Sequence, residues 1–327
     1  MASPATDETL RWDDPDWLAE VTEWIDARVE RAGEIERFHA YPWATALRVP
    51  TRHGLVWFKA CIAELAHEVT TLELLNARTP DRVPRLLSGD RANGWMLLED
   101  AGERLRDLHE SDGQLERWER AAALYAQVQL DVAPDADAFV AGGVPDRRGD
   151  RLLAHLERVL ADDAALSPPN DEALTRDEVA RARALPPRLA EDVVLLEALG
   201  LPASIQHDDV HDGNVFVDGD AFRIIDWGDA CVASPLLSLH VMLGVVELRW
   251  GPGAPEIARV RDAYLEPFTA LRSREELAAV MPAVDRLGLA GGAVKWHEIV
   301  GSLPEHTRGP FLDGAPYKLR RLLELCA

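Results

Sequence analysis

The chain has 327 residues, 47% hydrophobic and 28% charged, with a formal net charge of −22. This length suits one large domain or two lobes, and the composition is that of a packed globular protein and not of a disordered one. The acidic excess argues against a nucleic-acid partner, which would need clustered Lys and Arg to meet phosphates, but is compatible with a cationic substrate. Cys61, Cys231 and Cys326 are far apart and form neither a metal-type pair nor a disulfide framework. They point to a reducing, cytoplasmic compartment. The N-terminus lacks the basic and apolar regions of a secretory leader, and no apolar run reaches the roughly 18 residues of a membrane span.

In chain order, residues 11–32 predict an amphipathic helix behind Asp13-Asp14-Pro15, with Trp17, Val21, Trp24 and Ile25 on one face. Two β-like runs follow, 38–50 and 55–60, joined by the turn Thr51-Arg52-His53-Gly54. Residues 63–77 have helical spacing, and 95–98 form another short β run before the polar stretch Glu99-Asp100-Ala101-Gly102. Beyond this point strands nearly vanish. A helix is predicted over 115–130, a Gly- and Pro-containing loop over 131–150, and helices over 151–161, 172–185 and 188–199. A loop and hairpin over 205–229 interrupt this pattern, and from Leu236 onward the chain is again helical. The expected architecture is α+β with two unequal lobes, a β-rich one over 1–101 and a larger helical one over 102–327.

The hairpin carries the chemistry. Two short apolar runs, 215–217 and 222–225, flank the tight-turn signal Asp218-Gly219-Asp220. Antiparallel pairing across that turn returns Asp226 to the end where Asn214 sits, with Asp209 a short loop away. Three oxygen donors facing one space suit Mg²⁺, which takes oxygen ligands and keeps waters and phosphates as the others.

His207-x-Asp209-x₄-Asn214, followed by Asp226-Trp227-Gly228, resembles the catalytic and metal-binding loops of the aminoglycoside phosphotransferase family, whose fold is related to that of protein kinases. The resemblance runs over about 35–237. It implies a protein-kinase-like bilobal fold and a small-molecule kinase that moves the γ-phosphoryl group of ATP, or of another nucleoside triphosphate, to a hydroxyl. Asp209 would be the catalytic carboxylate, Asn214 and Asp226 the Mg²⁺ ligands, and His207 a structural brace. The resemblance also asks for a strand lysine on the phosphates and a helix glutamate to hold it. Lys59 ends the second β run. Glu68 shares a stripe with Leu65, Leu72 and Leu75, where a buried carboxylate needs a partner. Glu99 and Ala101 fall where the family hinge meets a purine. Tyr41-Pro42-Trp43-Ala44-Thr45 occupies the place of the phosphate-covering loop without its glycines, with the Thr45 hydroxyl as a substitute contact.

The acceptor is less defined. Asp212, Asp229, Trp296 and Glu298 are the candidates to bind it, and their acidity favours an amine-bearing molecule such as an aminoglycoside-like antibiotic or an amino sugar. A metabolite or sugar kinase of the same fold and a catalytically silent nucleotide-binding protein are the alternatives. A protein kinase lacks support because no activation segment follows Asp226, and a metal hydrolase would leave Lys59 and Glu68 without a role. His211 and Cys231 are assigned no function.

Overall fold

The computed structural model describes residues 10–110 and 114–327. Helix α1 (Pro15–Asp26) begins where the Asp14 carboxylate accepts the Asp16 N–H and Pro15 takes the first position, both favourable at an N-terminus. It stops short of residue 32 because the chain leaves to bridge Arg31 with Thr51 and to donate the Ala32 N–H to Pro50 O. Trp17, Val21 and Ile25 are buried, and Trp24 lies edge-on to Phe58 and Trp95 at 5.7 and 5.8 Å.

Five strands form one antiparallel sheet: β1 (Glu36–Ala40), β2 (Ala44–Thr51), β3 (Gly54–Cys61), β4 (Leu86–Asp90) and β5 (Trp95–Glu99), in the order β1-β2-β3-β5-β4. The run expected over 38–50 is split by the turn at Tyr41-Pro42-Trp43, and β2 and β3 close on the pair Thr51–Gly54. Strand β4 has no counterpart in the sequence expectations. Leu86-Leu87-Ser88-Gly89-Asp90 does not alternate, and its pairing with β5 shifts register between Leu86 and Ser88. Helix α2 (His67–Arg78) follows a short 3₁₀ turn, Ala63–Leu65, and buries Glu68, Leu72 and Leu75 along the expected stripe.

The remainder is mainly helical: α3 (Gln114–Val132), α4 (Ala136–Ala141), α5 (Asp150–Ala161), α6 (Asp163–Leu166), α7 (Arg176–Arg183) and α8 (Pro186–Ala198), then α9 (Leu239–Trp250), α10 (Pro255–Leu265), α11 (Arg274–Ala279), α12 (Met281–Ser302) and α13 (Gly314–Leu325). Helix α4 lies in the stretch expected to be loop, held by the fully buried Phe139. Between α8 and α9 run four short strands, β7 (Ser204–Gln206), β8 (Val215–Asp218), β9 (Ala221–Ile224) and β10 (Cys231–Ala233), and β6 (Glu103–Arg104) pairs with β8. Strand β10 pairs with β7, a contact that three residues alone do not announce.

Helix α12 is the axis of this part, packed by α5, α8, α9 and α13. Its run from Leu287 to Val294 is small and apolar and buried throughout. At Gly288 a Cβ would lie 2.4 Å from His240 Cβ, so the glycine is what lets α9 approach. The α+β organisation, a small antiparallel sheet lobe and a larger helical lobe, is the expected one. Among the described residues no helix is long and apolar enough to cross a membrane.

Candidate active site

Strands β8 and β9 pair Val215 with Ile224 and Asp218 with Ala221 around Gly219, whose φ is +59°. Beyond the last pair, the Ile225 N–H donates to Asn214 O at 3.0 Å, so Asn214 and Asp226 sit side by side at the open end. Asp226 (φ 67°) and Asp208 (φ 60°) are the non-glycine residues with positive φ among those described. Left-handed backbone at such residues costs of the order of 1–3 kcal/mol and persists where the surroundings impose it. His207 supplies part of that constraint. Its Nδ1 accepts the Asp209 N–H (3.3 Å), its Nε2–H donates to Ile225 O (2.7 Å), and its buried ring lies 4.7 Å from that of Trp227. Burial holds the imidazole below its ordinary pKa, and one donor with one acceptor satisfies the neutral ring.

Strand alternation puts Lys59 on the face opposite Phe58 and Ala60. Its ammonium reaches Glu68 Oε1 at 2.7 Å and Asp226 Oδ1 at 2.5 Å. Glu68, 1% exposed, also accepts the Trp227 N–H at 3.0 Å, which ties α2 to the turn after Asp226. Burial pulls the Lys59 pKa down, but the two carboxylates outweigh it and hold the amine well above its usual range. Burial likewise pushes Asp226 up and Lys59 brings it below the ordinary value, whereas Glu68 stays raised by its burial.

Asp209 is more open than Lys59 or Glu68. Its side chain is 37% exposed, with Lys295 Nζ 3.8 Å from Oδ1 and His211 Nε2 3.5 Å from Oδ2. Asn214 Nδ2 donates to Asp209 O (3.0 Å) and to Oδ2 (3.3 Å). Burial raises the carboxyl's pKa, but Lys295 and then His211 bring it well below the usual carboxylate range. Asp209 is therefore an ionised acceptor at neutral pH.

Neither Lys295 nor His211 was assigned a role from the sequence. Lys295 did carry a signal: it follows the uncharged run Leu287–Val294 on a helix, where a buried lysine requires a partner. Its Nζ is hydrogen-bonded to Asp208 O (2.9 Å) and paired with Asp229 Oδ2 (3.0 Å). The left-handed Asp208 presents its carbonyl to α12. Burial pushes Asp229 up to about 6 despite Lys295.

Several expected contacts lie elsewhere. Thr45 is fully buried and its hydroxyl donates to His39 O at 2.8 Å, so it does not face the cleft as a phosphate contact. The Glu99 N–H donates to Arg85 O (3.0 Å) and its carboxylate pairs with Arg85, which engages that part of the hinge in the sheet edge. Ala101 O accepts from Arg223 at 3.3 Å. Asp212 is held by Arg106 at 2.7 Å, and Glu298 lies between Arg147 (2.9 Å) and His155 (2.6 Å). Trp296 is stacked with Phe311 (10° between planes) and set edge-on to Trp43 at 6.4 Å. Of the four acceptor candidates, Asp229 shares Lys295 with Asp209, and Asp212 shares His211 with it at 4.0 and 3.5 Å.

Among the described residues, no group of three or more His, Cys, Asp or Glu side chains forms an all-protein metal cage. The donor set fits Mg²⁺ in its usual phosphate-assisted form. Lys59 takes one Asp226 oxygen and the Asn214 amide nitrogen faces Asp209, which leaves the Asn214 side-chain oxygen and the other Asp226 oxygen as the atoms that would hold it.

The fold resembles solved small-molecule kinases. A choline/ethanolamine kinase family protein from Mesorhizobium loti superposes with a TM-score of 0.61 at 18% identity, covering 93% of this chain and 94% of its own. Choline kinase from Cryptosporidium parvum gives 0.64 at 12% identity, covering 94% and 95%. Macrolide 2′-phosphotransferase MphH from Brachybacterium faecium gives 0.58 at 14%, covering 93% and 98%. No curated protein matches the sequence. The sequence profile of the phosphotransferase enzyme family matches residues 60–278, well over half of the chain. With that match and the shared fold, the chain belongs to the phosphotransferase enzyme family, small-molecule kinases that act on hydroxyl groups.

Proposed function

We propose that the enzyme transfers the γ-phosphoryl group of Mg-ATP to a hydroxyl of a small molecule, with residues 1–101 covering the nucleotide and 102–327 carrying the catalytic loop. The observation that supports this best is the convergence of Asp209, Asn214 and Asp226 with the Lys59–Glu68 pair. In phosphoryl transfer the transition state is loose and highly charged, so positioning and charge neutralisation do most of the work. Lys59, held by Glu68, binds the α- and β-phosphates. Asn214 and Asp226 hold Mg²⁺, which when bound neutralises phosphate charge. Asp209 accepts a hydrogen bond from the acceptor hydroxyl and aims its oxygen at the γ-phosphorus. As that oxygen bonds to phosphorus, the bond from the γ-phosphorus to the bridging oxygen breaks, ADP leaves, and the hydroxyl proton passes to Asp209. His207 keeps the loop in register through its two backbone bonds.

ATP consumption against a panel of aminoglycosides, amino sugars, peptide antibiotics, choline, homoserine and sugars tests the proposal. Asp209→Asn is expected to lower kcat by about 10²–10⁴-fold, the usual range for a positioned proton acceptor, with Mg-ATP binding retained. Asp226→Ala is expected to weaken Mg-ATP binding as well. Full activity in Asp209→Ala would sink the assignment.

A further inference from the structure

A cavity of about 280 Å³ lies beside Asp229, between the start of α2, the segment before α5 and helix α12. His67, Arg147, Asp229, Lys295 and Ile299 are among its walls. Lys295 joins it to the catalytic loop, since the same ammonium lies 3.8 Å from Asp209 Oδ1 and 3.0 Å from Asp229. The volume lies just below the usual range of ligand pockets, roughly 300–1,000 Å³, and suits a monosaccharide better than a multi-ring antibiotic.

The charges on this side are already matched within the protein. Asp229 has Lys295, Glu298 has Arg147 and His155, and Asp212 has Arg106. Lys295 and Arg147 are themselves buried, with side chains 9% and 5% exposed. An ammonium seeking Asp229 or Glu298 would have to compete with a buried cation that already holds that carboxylate, and would strip that cation of part of the compensation its burial requires. The remaining polar atoms of the wall suit neutral groups. His67 Nδ1 lies 3.1 Å from Glu64 O, which puts its proton there and leaves Nε2 as an acceptor without a partner. Burial lowers that ring to about 4, so it is uncharged at neutral pH. Arg147 Nε is a donor without a hydrogen-bond partner. Hydroxyl groups, which both donate and accept, satisfy such a pair.

We infer that this cavity is the acceptor pocket and that it selects a small, uncharged polyhydroxyl molecule, with Lys295 standing where an acceptor ammonium would otherwise bind. The inference rests on Asp209 being the catalytic carboxylate.

The test uses the full chain with Mg-ATP and matched sugars that differ by one hydroxyl-to-amine exchange, such as glucose with glucosamine and galactose with galactosamine. The hydroxyl member of a pair is expected to have at least a tenfold higher kcat/KM. Lys295→Met should narrow that ratio below threefold, and Lys295→Arg should keep it. Preference for the amine in the unmodified enzyme, or an unchanged ratio in Lys295→Met, overturns the inference. Ile299→Trp fills the cavity without altering any charge and covers the case in which Lys295→Met does not fold. It should lower acceptor turnover at least tenfold while nucleotide binding, read by a fluorescent ATP analogue, stays within twofold. Undiminished turnover in Ile299→Trp, beside an inactive Asp209→Ala, would refute the pocket and leave the phosphotransferase assignment standing. Full activity in Asp209→Ala would refute both.

Discussion

At Lys59 one ammonium neutralises both Glu68, almost fully buried, and Asp226. Removing it strands a carboxylate in the interior, so Lys59→Met is expected to destabilise the protein by about 3–5 kcal/mol. Adding Glu68→Gln should recover most of that loss without restoring activity, and urea denaturation of the single and double variants measures it. Asp229 gives a pH signature of the opposite sense to most carboxylates. Burial raises it from 3.8 to about 6, with Lys295 opposing and the Asp209 and Asp226 charges adding to the rise. The folded chain therefore holds a proton that the unfolded chain releases between those values, and stability from this group falls as pH rises through the window. Asp209 and Asp226 have lowered values, so their contributions are lost only as pH falls toward and below the ordinary carboxylate range. In Mg²⁺-free buffer, Asp229→Asn should match the unmodified protein at pH 4 and exceed it by about 1–3 kcal/mol at pH 7. Thermal melts across pH 4–8 follow the divergence, and a gap of constant size would refute the titration.

Elements whose evidence is local were legible in the sequence, and those held by distant partners were not. The β8–β9 hairpin announces itself through Asp218-Gly219-Asp220 between two apolar runs, and its register brings Asn214 beside Asp226 as the spacing requires. Strand β4 is bulged, β10 is three residues long, and α4 sits among Pro134, Gly142 and Gly143, so each depends on packing that no short window displays. The same limit governs the site. Lys59 and Glu68 could be matched because the family resemblance asks for such a pair and a buried carboxylate on an apolar stripe needs a cation. The partners of Asp212 and Glu298 are Arg106 and Arg147, which only the tertiary fold brings to them, so exposed acidic ligands and paired structural ones read alike. The connector to the hairpin carries a testable constraint of its own. Gly102 has φ +104°, and a Cβ there would lie 2.4 Å from Val217 O on β8. Gly102→Ala is expected to cost about 1–3 kcal/mol and to raise the KM for ATP, because the same segment joins the sheet to the catalytic hairpin. Thermal melts and nucleotide titration check both effects, and an unshifted melting temperature would remove the close approach from the account.

For the molecule as a whole, the net charge of −22 acts on everything that approaches it. A nucleotide carries negative charge, so the protein's field opposes its arrival. That field is long-ranged at about 0.01 M salt, where the Debye length is about 30 Å, and is largely screened at about 0.15 M, where it is about 8 Å. The Lys59–Glu68 contact is short and buried, so salt screens it far less. Raising NaCl over this range at fixed free Mg²⁺ is therefore expected to increase kcat/KM for Mg-ATP several-fold with little change in kcat. The acceptor responds according to its own charge. A neutral polyol gives a flat salt dependence, whereas a cationic acceptor, drawn in by the acidic surface, loses kcat/KM as salt rises. Measuring both dependences on one enzyme preparation separates steering by the whole molecule from recognition in the pocket. A rising curve for Mg-ATP beside a flat one for the acceptor is the expected result. A falling acceptor curve would return the acidic surface to the role of an amine-collecting field and count against Lys295 as the site's built-in cation.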